Sequence, residues 1–394
     1  MSELTYVLIT PYSLLKSRTG GVIARLLSRC NLELVAARMY APSDECVNAF
    51  ADTFKDEENP GLPKGLVSKY VGDMFKKNNR FGISNRFMVL LFEGGNAVHH
   101  LHDEVVGPLS PEMRGDTVRG TYGDIVMSQK GEVLFFEPSV LAPSSEEMAR
   151  RQLKLLADYA QKDGGILTNV LSFPKGARVQ TTLVIIKPDN FWRRSSLPGN
   201  IIDSFSRTGL YLVAAKVLHM TVKQGEDFYR PVRDMFVERL APQLEERLRA
   251  ICSENLEFRA PEGAIKALAV SLREANAEYE YRKIVNYMVG AEEDIFSKGH
   301  GRKGKCLALL YQGEDAIGKI RAQLGATNPL KASEGTVRSI YGQDLMKNGA
   351  HASDSPENAE RERRIVGLRE EKGPSDFESV LKPYFEEGAP GRGS

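Results

Sequence analysis

Short apolar, β-branched runs alternate with stretches of helical spacing along most of this chain. Thr181 to Lys187 reads as a strand, Gly199 to Arg207 as a helix, and Leu210 to Val217 as a second strand. Lys305 to Tyr311 follows as a strand and Glu314 to Leu324 as a helix. Strands and helices that alternate with short crossings predict an α/β sandwich with a helical layer on a sheet. The same pattern occurs earlier in the chain. Tyr6-Val-Leu-Ile-Thr-Pro11 aligns with Leu183-Val-Ile-Ile-Lys-Pro188, and Gly21-Val-Ile-Ala-Arg-Leu-Leu with Gly199-Asn-Ile-Ile-Asp-Ser-Phe. Leu34-Val-Ala-Ala-Arg38 aligns with Leu212-Val-Ala-Ala-Lys216, Leu91 to Val98 with Leu310 to Ile317, and Thr117 to Gly123 with Thr336 to Gly342. Blocks kept in one order predict a tandem duplication, with a period too long for a solenoid.

The predicted boundaries are a first domain over 1–165, a linker over 166–180 and a second domain over 181–394. The linker falls in the stretch Gln161 to Gln180, which carries Gly164-Gly165, Pro174 and Gly176. The second copy carries an excess at about 230–281. There, Arg233 to Ser253 and Gly263 to Tyr281 are spaced as amphipathic helices, which predicts an inserted hairpin or a lid. The end from about Glu370 mixes charge with Gly and Pro and is expected to be a docked or loose tail.

Composition narrows the class. A formal net charge of +1 over 394 residues gives no electrostatic reason to expect nucleic acid or an anionic membrane. Cysteines 30, 46, 252 and 306 include no CxxC pair, which argues against a zinc site or a disulfide framework. No apolar run is long enough to span a bilayer and no signal peptide is evident, so a cytoplasmic protein is the expectation.

The chemistry concentrates near the end. Asn348-Gly-Ala-His351-Ala-Ser-Asp-Ser355-Pro-Glu puts one histidine in a small-residue turn ahead of a helix start. Ser355 suits the N-cap, Pro356 the first helical residue and Glu357 the first turn. Glu362, farther along that helix, is placed to hold one ring nitrogen while the other attacks a phosphate. The plain alternative is a surface histidine beside an acidic helix start.

Taken in order, Ile186-Lys187-Pro188-Asp189, Arg321, Gly325-Ala-Thr327-Asn328-Pro329, Gly335-Thr-Val-Arg338, Asn348 to Ser355 and Glu362 resemble the nucleoside diphosphate kinases. The resemblance covers nearly all of the second copy apart from the excess. It implies an α+β ferredoxin-like sandwich, an antiparallel four-stranded sheet with helices, here present twice. It also implies ping-pong transfer of the terminal phosphate of ATP or another nucleoside triphosphate to a nucleoside diphosphate, with Mg2+ on the phosphates. His351 would be the nucleophile, with Glu362 and Ser353 orienting it. Arg321, Thr327 and Arg338 would grip phosphates. Lys187 and Asn348 would sit against the sugar hydroxyls and the transferred group, and Tyr229 would hydrogen-bond the lysine. Arginine forks match phosphate oxygens in pairs, so these residue types suit phosphoryl transfer. Each residue also has an ordinary structural role open to it: Arg321 a solvated helix face, Arg338 a strand-end ion pair, Lys187 a snorkelling strand end. Lys187 and Arg338 both read as peripheral to the core.

Some positions depart from the family pattern. Ala352 stands where glycine is usual, and Arg193 to Pro198 lengthens the approach to Gly199. The base-stacking aromatic falls to Tyr281 or Tyr279, at the end of the excess. The first copy carries Thr10 for Lys187, Leu141 for His351, Gln152 for Glu362, Asp103 or His102 for Arg321 and Leu109 for Thr327, and keeps Arg119 for Arg338. It is expected to be catalytically dead and to act as a pseudo-partner within the chain, in a protein that self-associates. A binding or scaffold protein with little turnover is the alternative function. Gly299-His-Gly-Arg-Lys-Gly304-Lys305-Cys306 imitates a P-loop but leads into a strand, and His99-His100-Leu-His102 imitates a metal cluster with poor ligand spacing.

Overall fold

The apolar runs become the strands of two four-stranded sheets and one two-stranded ribbon in the computed structural model, which describes residues 2–79, 81–112, 115–291, 304–369 and 376–386. The first sheet contains β1 (Glu3–Ile9), β2 (Glu33–Tyr40), β3 (Phe87–Gly94) and, after the ribbon β4 (Asp124–Met127) with β5 (Val133–Glu137), the short β6 (Val140–Leu141). The second contains β7 (Val179–Ile186), β8 (Tyr211–His219), β9 (Lys305–Glu314) and β10 (Ala350–Ala352). Strand order is β2-β3-β1-β6 in one and β10-β7-β9-β8 in the other, the same arrangement read in opposite directions. Both central strands, β1 and β7, run antiparallel to their neighbours. A helix follows each central strand, Thr19–Arg29 in one case and Leu197–Ser206 in the other, so each half is an α+β sandwich of the ferredoxin-like order.

Register ties the halves residue by residue. His351 pairs with Ile185 of β7, and Leu141 pairs with Leu8 of β1. Leu8 and Ile185 occupy the same place in the aligned strands, so leucine holds the histidine's position in the first half. Arg119 donates to the carbonyls of Gly107 (2.5 Å) and Val140 (3.3 Å), while Arg338 donates to those of Gly325 (3.0 Å) and Ala350 (3.2 Å). Gly107 and Gly325 both take positive φ, 87° and 84°.

The helices Thr19–Arg29 and Leu197–Ser206 cross in close contact. A Cβ on Gly20 would overlap the Asp203 backbone, and one on Gly199 would overlap the Ala24 backbone. That contact is reciprocal when Gly20 is matched to Gly199, so the alignment of Gly21 with Gly199 shifts by one residue. The last described helix, Asp376–Glu386, returns to the first half. There Phe377 and Leu381 are buried with Val47, Phe50 and Leu153, and the Phe377 ring meets Tyr40 edge-on at 6.0 Å. The tail expected from about Glu370 is therefore docked over this helix.

The residues His219–Lys305 form a separate compact unit of helices Val222–Arg239, Ala241–Asn255 and Glu262–Val289. It is wider than the excess read over 230–281. The helix expected from Arg233 to Ser253 is broken at Leu240, because Pro242 cannot donate a backbone N–H within a continuing helix and instead starts a new one. Leu248, Ile265 and Ala269 make a small core of this unit. Of the P-loop imitation, residues 299–303 lie outside the described residues, and Lys305 opens β9. None of the four cysteines is in a disulfide. No described helix is long and apolar enough to cross a membrane.

Gly199→Val should lower stability by about 2–3 kcal/mol in chemical denaturation, because the added carbons have to push the crossing helices apart. Val at the adjacent surface position Asn200 should have less than half that effect. Equal losses at both positions would rule out a close glycine crossing.

Candidate active site

His351 reaches its position through two local decisions of the chain. Gly349, at φ +83°, turns the backbone into β10, where Ala350 and Ala352 are buried and the alternating His351 faces the other way, half-exposed. Ser355 then caps the helix Pro356–Ile365 by accepting the Asn358 N–H at 3.1 Å, with Pro356 opening the helix and Glu357 in its first turn. That fixed start returns Glu362 toward the strand. The Glu362 Oε2 atom lies 2.8 Å from His351 Nε2 and accepts the Ser353 hydroxyl at 2.6 Å. A carboxylate needs a donor, so the imidazole proton sits on Nε2 and the lone pair on Nδ1. Burial opposes the charge on Glu362, yet His351, the Ser353 hydroxyl and Arg361 outweigh it and hold the carboxyl below its usual range.

A second group of side chains assembles beside the histidine. Lys187, at the end of β7, donates from Nζ to the Met346 carbonyl at 2.8 Å and to Asn348 Oδ1 at 2.7 Å. Asn348 donates in turn to the carbonyls of Thr327 and Leu345, both at 3.0 Å. Arg338 lies 3.5 Å from the Thr327 hydroxyl and is bonded to Ala350, next to the histidine. Lys187, Asn348, Thr327 and Arg338 are thus one bonded network, which reaches the backbone beside His351 through the Ala350 carbonyl. Arg321 sits in the last turn of the helix Ala316–Leu324, which packs on β7 and β10; it is exposed, and its guanidinium makes no ion pair among the described residues.

Lys187 is 8% exposed, so it is not peripheral as its sequence position suggests. Burial, and then the Arg338 guanidinium, push its ammonium down to about 8. Asn190, unremarked in the sequence, donates to the carbonyls of Lys187 (3.0 Å) and Gly349 (2.9 Å), stitching the lysine's strand to the histidine's turn. The signal for it was weak: a single polar residue after Lys187-Pro-Asp.

Three expected residues lie in the helical unit. Tyr229 is buried there with its ring against Phe228. Tyr281 is 4% exposed and donates to the Glu226 carbonyl at 3.0 Å, so its faces are not open to a base. Tyr279 is exposed, with Lys283 over its ring.

The matching place in the first half is closed. Thr10 donates to Glu137 Oε1 at 2.8 Å, Tyr70 to Oε2 at 2.7 Å and the Ser139 N–H to Oε1 at 3.0 Å. An acid is therefore bonded to the residue that stands where Lys187 stands in the second half. Gln152 is buried, accepting from Tyr6 and donating to Thr53. Arg119 is 1% exposed. His100 and His102 are each paired with an adjacent carboxylate, Glu104 at 2.8 Å and Asp103 at 2.7 Å.

Residues 180–246 and 263–371 match the family model for nucleoside diphosphate kinase. The chain is 30% identical over 184 residues to a nucleoside diphosphate kinase of Persephonella marina, covering 47% of this chain and 90% of that protein. It is also 30% identical to the Helicobacter pylori enzyme over 183 residues, 46% of this chain and 91% of the relative. The solved NDP kinase of Pyrobaculum aerophilum is 28% identical, over 49% of this chain and 98% of that one, at a TM-score of 0.35. With 90% of the Persephonella marina protein matched at 30% identity, and the family match falling on the half that holds His351, the chain belongs to the nucleoside diphosphate kinase family.

Proposed function

We propose that the second half transfers the terminal phosphate of a nucleoside triphosphate to a nucleoside diphosphate, with His351 as the carrier. The observation that carries this reading is the bonding of His351 and the Ser353 hydroxyl to the Glu362 carboxylate, beside the Lys187–Asn348–Thr327–Arg338 network. In the first step the Nδ1 lone pair attacks the terminal phosphorus. A P–N bond forms, the bridging P–O bond breaks, and its electrons leave on the diphosphate oxygen. In the second step a terminal oxygen of the acceptor diphosphate attacks the phosphohistidine and the imidazole recovers its lone pair. Throughout, the Nε2 proton stays against Glu362, which keeps the ring in one tautomer and stabilises the charge it carries as phosphohistidine.

The cations have separable tasks. Arg321 has no competing protein ion pair among the described residues and can close on phosphate oxygens. Arg338 and Thr327 donate from the floor of the site. Lys187 neutralises the group in transit, and Asn348 aims it. The donors that would meet phosphate are cationic or hydroxylic. Among the described residues no group of three or more His, Cys, Asp or Glu is arranged to hold a metal. This donor set fits Mg2+ carried in on the nucleotide as part of the substrate; when bound there, the ion offsets phosphate charge. Tyr281, buried inside the helical unit, does not offer a platform for the base.

We also infer that 1–165 and 181–394 are two copies of one domain, joined over 166–180, and that the first is inactive. The shared strand order, the parallel bonds of Arg119 and Arg338, and the reciprocal glycine crossing support this. With Leu141, Gln152 and Thr10 in place, the first copy has no nucleophile and no lysine for phosphate. Its helix Thr19–Arg29 instead gives the second copy a permanent neighbour within the chain.

Terminally labelled ATP should leave acid-labile, base-stable label on the wild type and none on His351→Ala. Glu362→Gln should label roughly 10²-fold more slowly. Equal labelling of the His351 variant would refute the assignment. Because Lys187 must be charged to hold phosphate, kcat/KM should fall as pH rises through about 8. The kcat profile should hold to higher pH, since bound phosphate favours the ammonium. Lys187→Arg should be slower and lack the alkaline decline; an unchanged decline would place its origin elsewhere.

A further inference from the structure

We propose that Arg361 is a positioning residue that sets, through Glu362, how strongly His351 holds a proton. The proposal rests on the reading of His351 as the phosphate carrier. Both oxygens of the Glu362 carboxylate are engaged. Oε2 meets His351 and Ser353, while Oε1 accepts from Arg361 Nη2 at 3.3 Å. The Glu362 side chain is 6% exposed and that of Arg361 32%, so a charge at the solvent edge acts on a carboxylate inside.

Arg361 is itself held in place. Its Nε donates to Asn358 Oδ1 at 3.3 Å. Asn358 donates from Nδ2 to Asp354 at 2.7 Å, and from its backbone to the Ser355 cap at 3.1 Å. The helix start that delivers Glu362 thus also delivers the arginine that shares its charge.

The physical reason concerns the protonation state that attacks. A fully uncompensated carboxylate next to imidazole favours imidazolium, which has no lone pair to offer phosphorus. A carboxylate shared with a guanidinium still fixes the ring and its tautomer while drawing less on the second proton. Other charged groups on the elements around His351 are Lys187 at the end of β7, Arg338 on the helix Val337–Tyr341, Lys319 and Arg321 on the helix Ala316–Leu324, Asp354 before the helix Pro356–Ile365, and Glu357, Glu360, Arg363 and Arg364 on it. Lys187 and Arg338 bond carbonyls, Asn348 and Thr327, Asp354 accepts from Asn358, and Glu360 is paired with Arg363 and Arg364. Among the described residues, Arg361 is the arginine or lysine in ion-pair contact with Glu362.

The test is the pH profile of phosphohistidine formation in rapid-quench experiments on the full chain with labelled ATP. In Arg361→Gln the acid limb should move up by about half a pH unit, the scale expected for one partly exposed charge at this range. That makes labelling about threefold slower on the acid side and close to wild type at alkaline pH. Arg361→Lys should return the limb most of the way. A profile superposable on wild type, or a uniform loss at every pH that lysine does not restore, would overturn the proposal. The His351 ring resonances of the resting chain, followed against pH by NMR, give a readout that needs no turnover. Their midpoint should rise in Arg361→Gln, and an unmoved midpoint also overturns the proposal. If the wild type takes no label on His351, the functional reading falls, while the NMR titration still judges the contact.

Discussion

One buried carboxylate organises the second half of this protein. Glu362 sits almost out of water, and an ionised group there is tolerated only while its oxygens are matched by donors. His351 and Ser353 supply those donors from the strand side, and Arg361 supplies one from the helix side. The constraint therefore binds β10 to the helix Pro356–Ile365, sets where that helix must begin, and makes the Ser355 cap part of the site's geometry. Taking away any one donor leaves part of that charge unmatched in a low-polarity surrounding.

The two halves share a backbone arrangement and differ in the side chains it carries. Strand order, glycine turns and the backbone bonds of Arg119 and Arg338 are common to both. The difference is polarity at the end of the central strand. In one half an ammonium is bonded to an amide; in the other a threonine and a tyrosine hold the Glu137 carboxyl, whose proton affinity burial raises. Phosphate would find a lysine in the first case and an acid in the second. Backbone geometry survives such exchange because it depends on φ, ψ and packing rather than on side-chain charge.

The site was legible where its determinants are local. Ser355 and Pro356 obey helix-capping rules, Glu362 lies farther along the helix they open, and Leu141 could be matched to His351 because the aligned blocks keep one order in both halves. What was not legible depends on contacts between distant segments. The burial of Lys187 follows from Asn348 and Met346 folding over it, and that of Tyr281 from packing inside the helical unit. Gly20 and Gly21 are interchangeable in an alignment; only the helix crossing distinguishes them. Asn190 and Arg361 carry no motif of their own, since their roles come from what the backbone brings beside them.

The helix Asp376–Glu386 has a further implication for how the chain reaches its native state. Phe377 and Leu381 belong to the interior of the half that is translated first. That half leaves the ribosome with a hydrophobic gap that stays open until the helix Asp376–Glu386 has been synthesised. Its maturation therefore waits for that distant segment, and a product cut before it would keep an apolar groove exposed to chaperones and proteases.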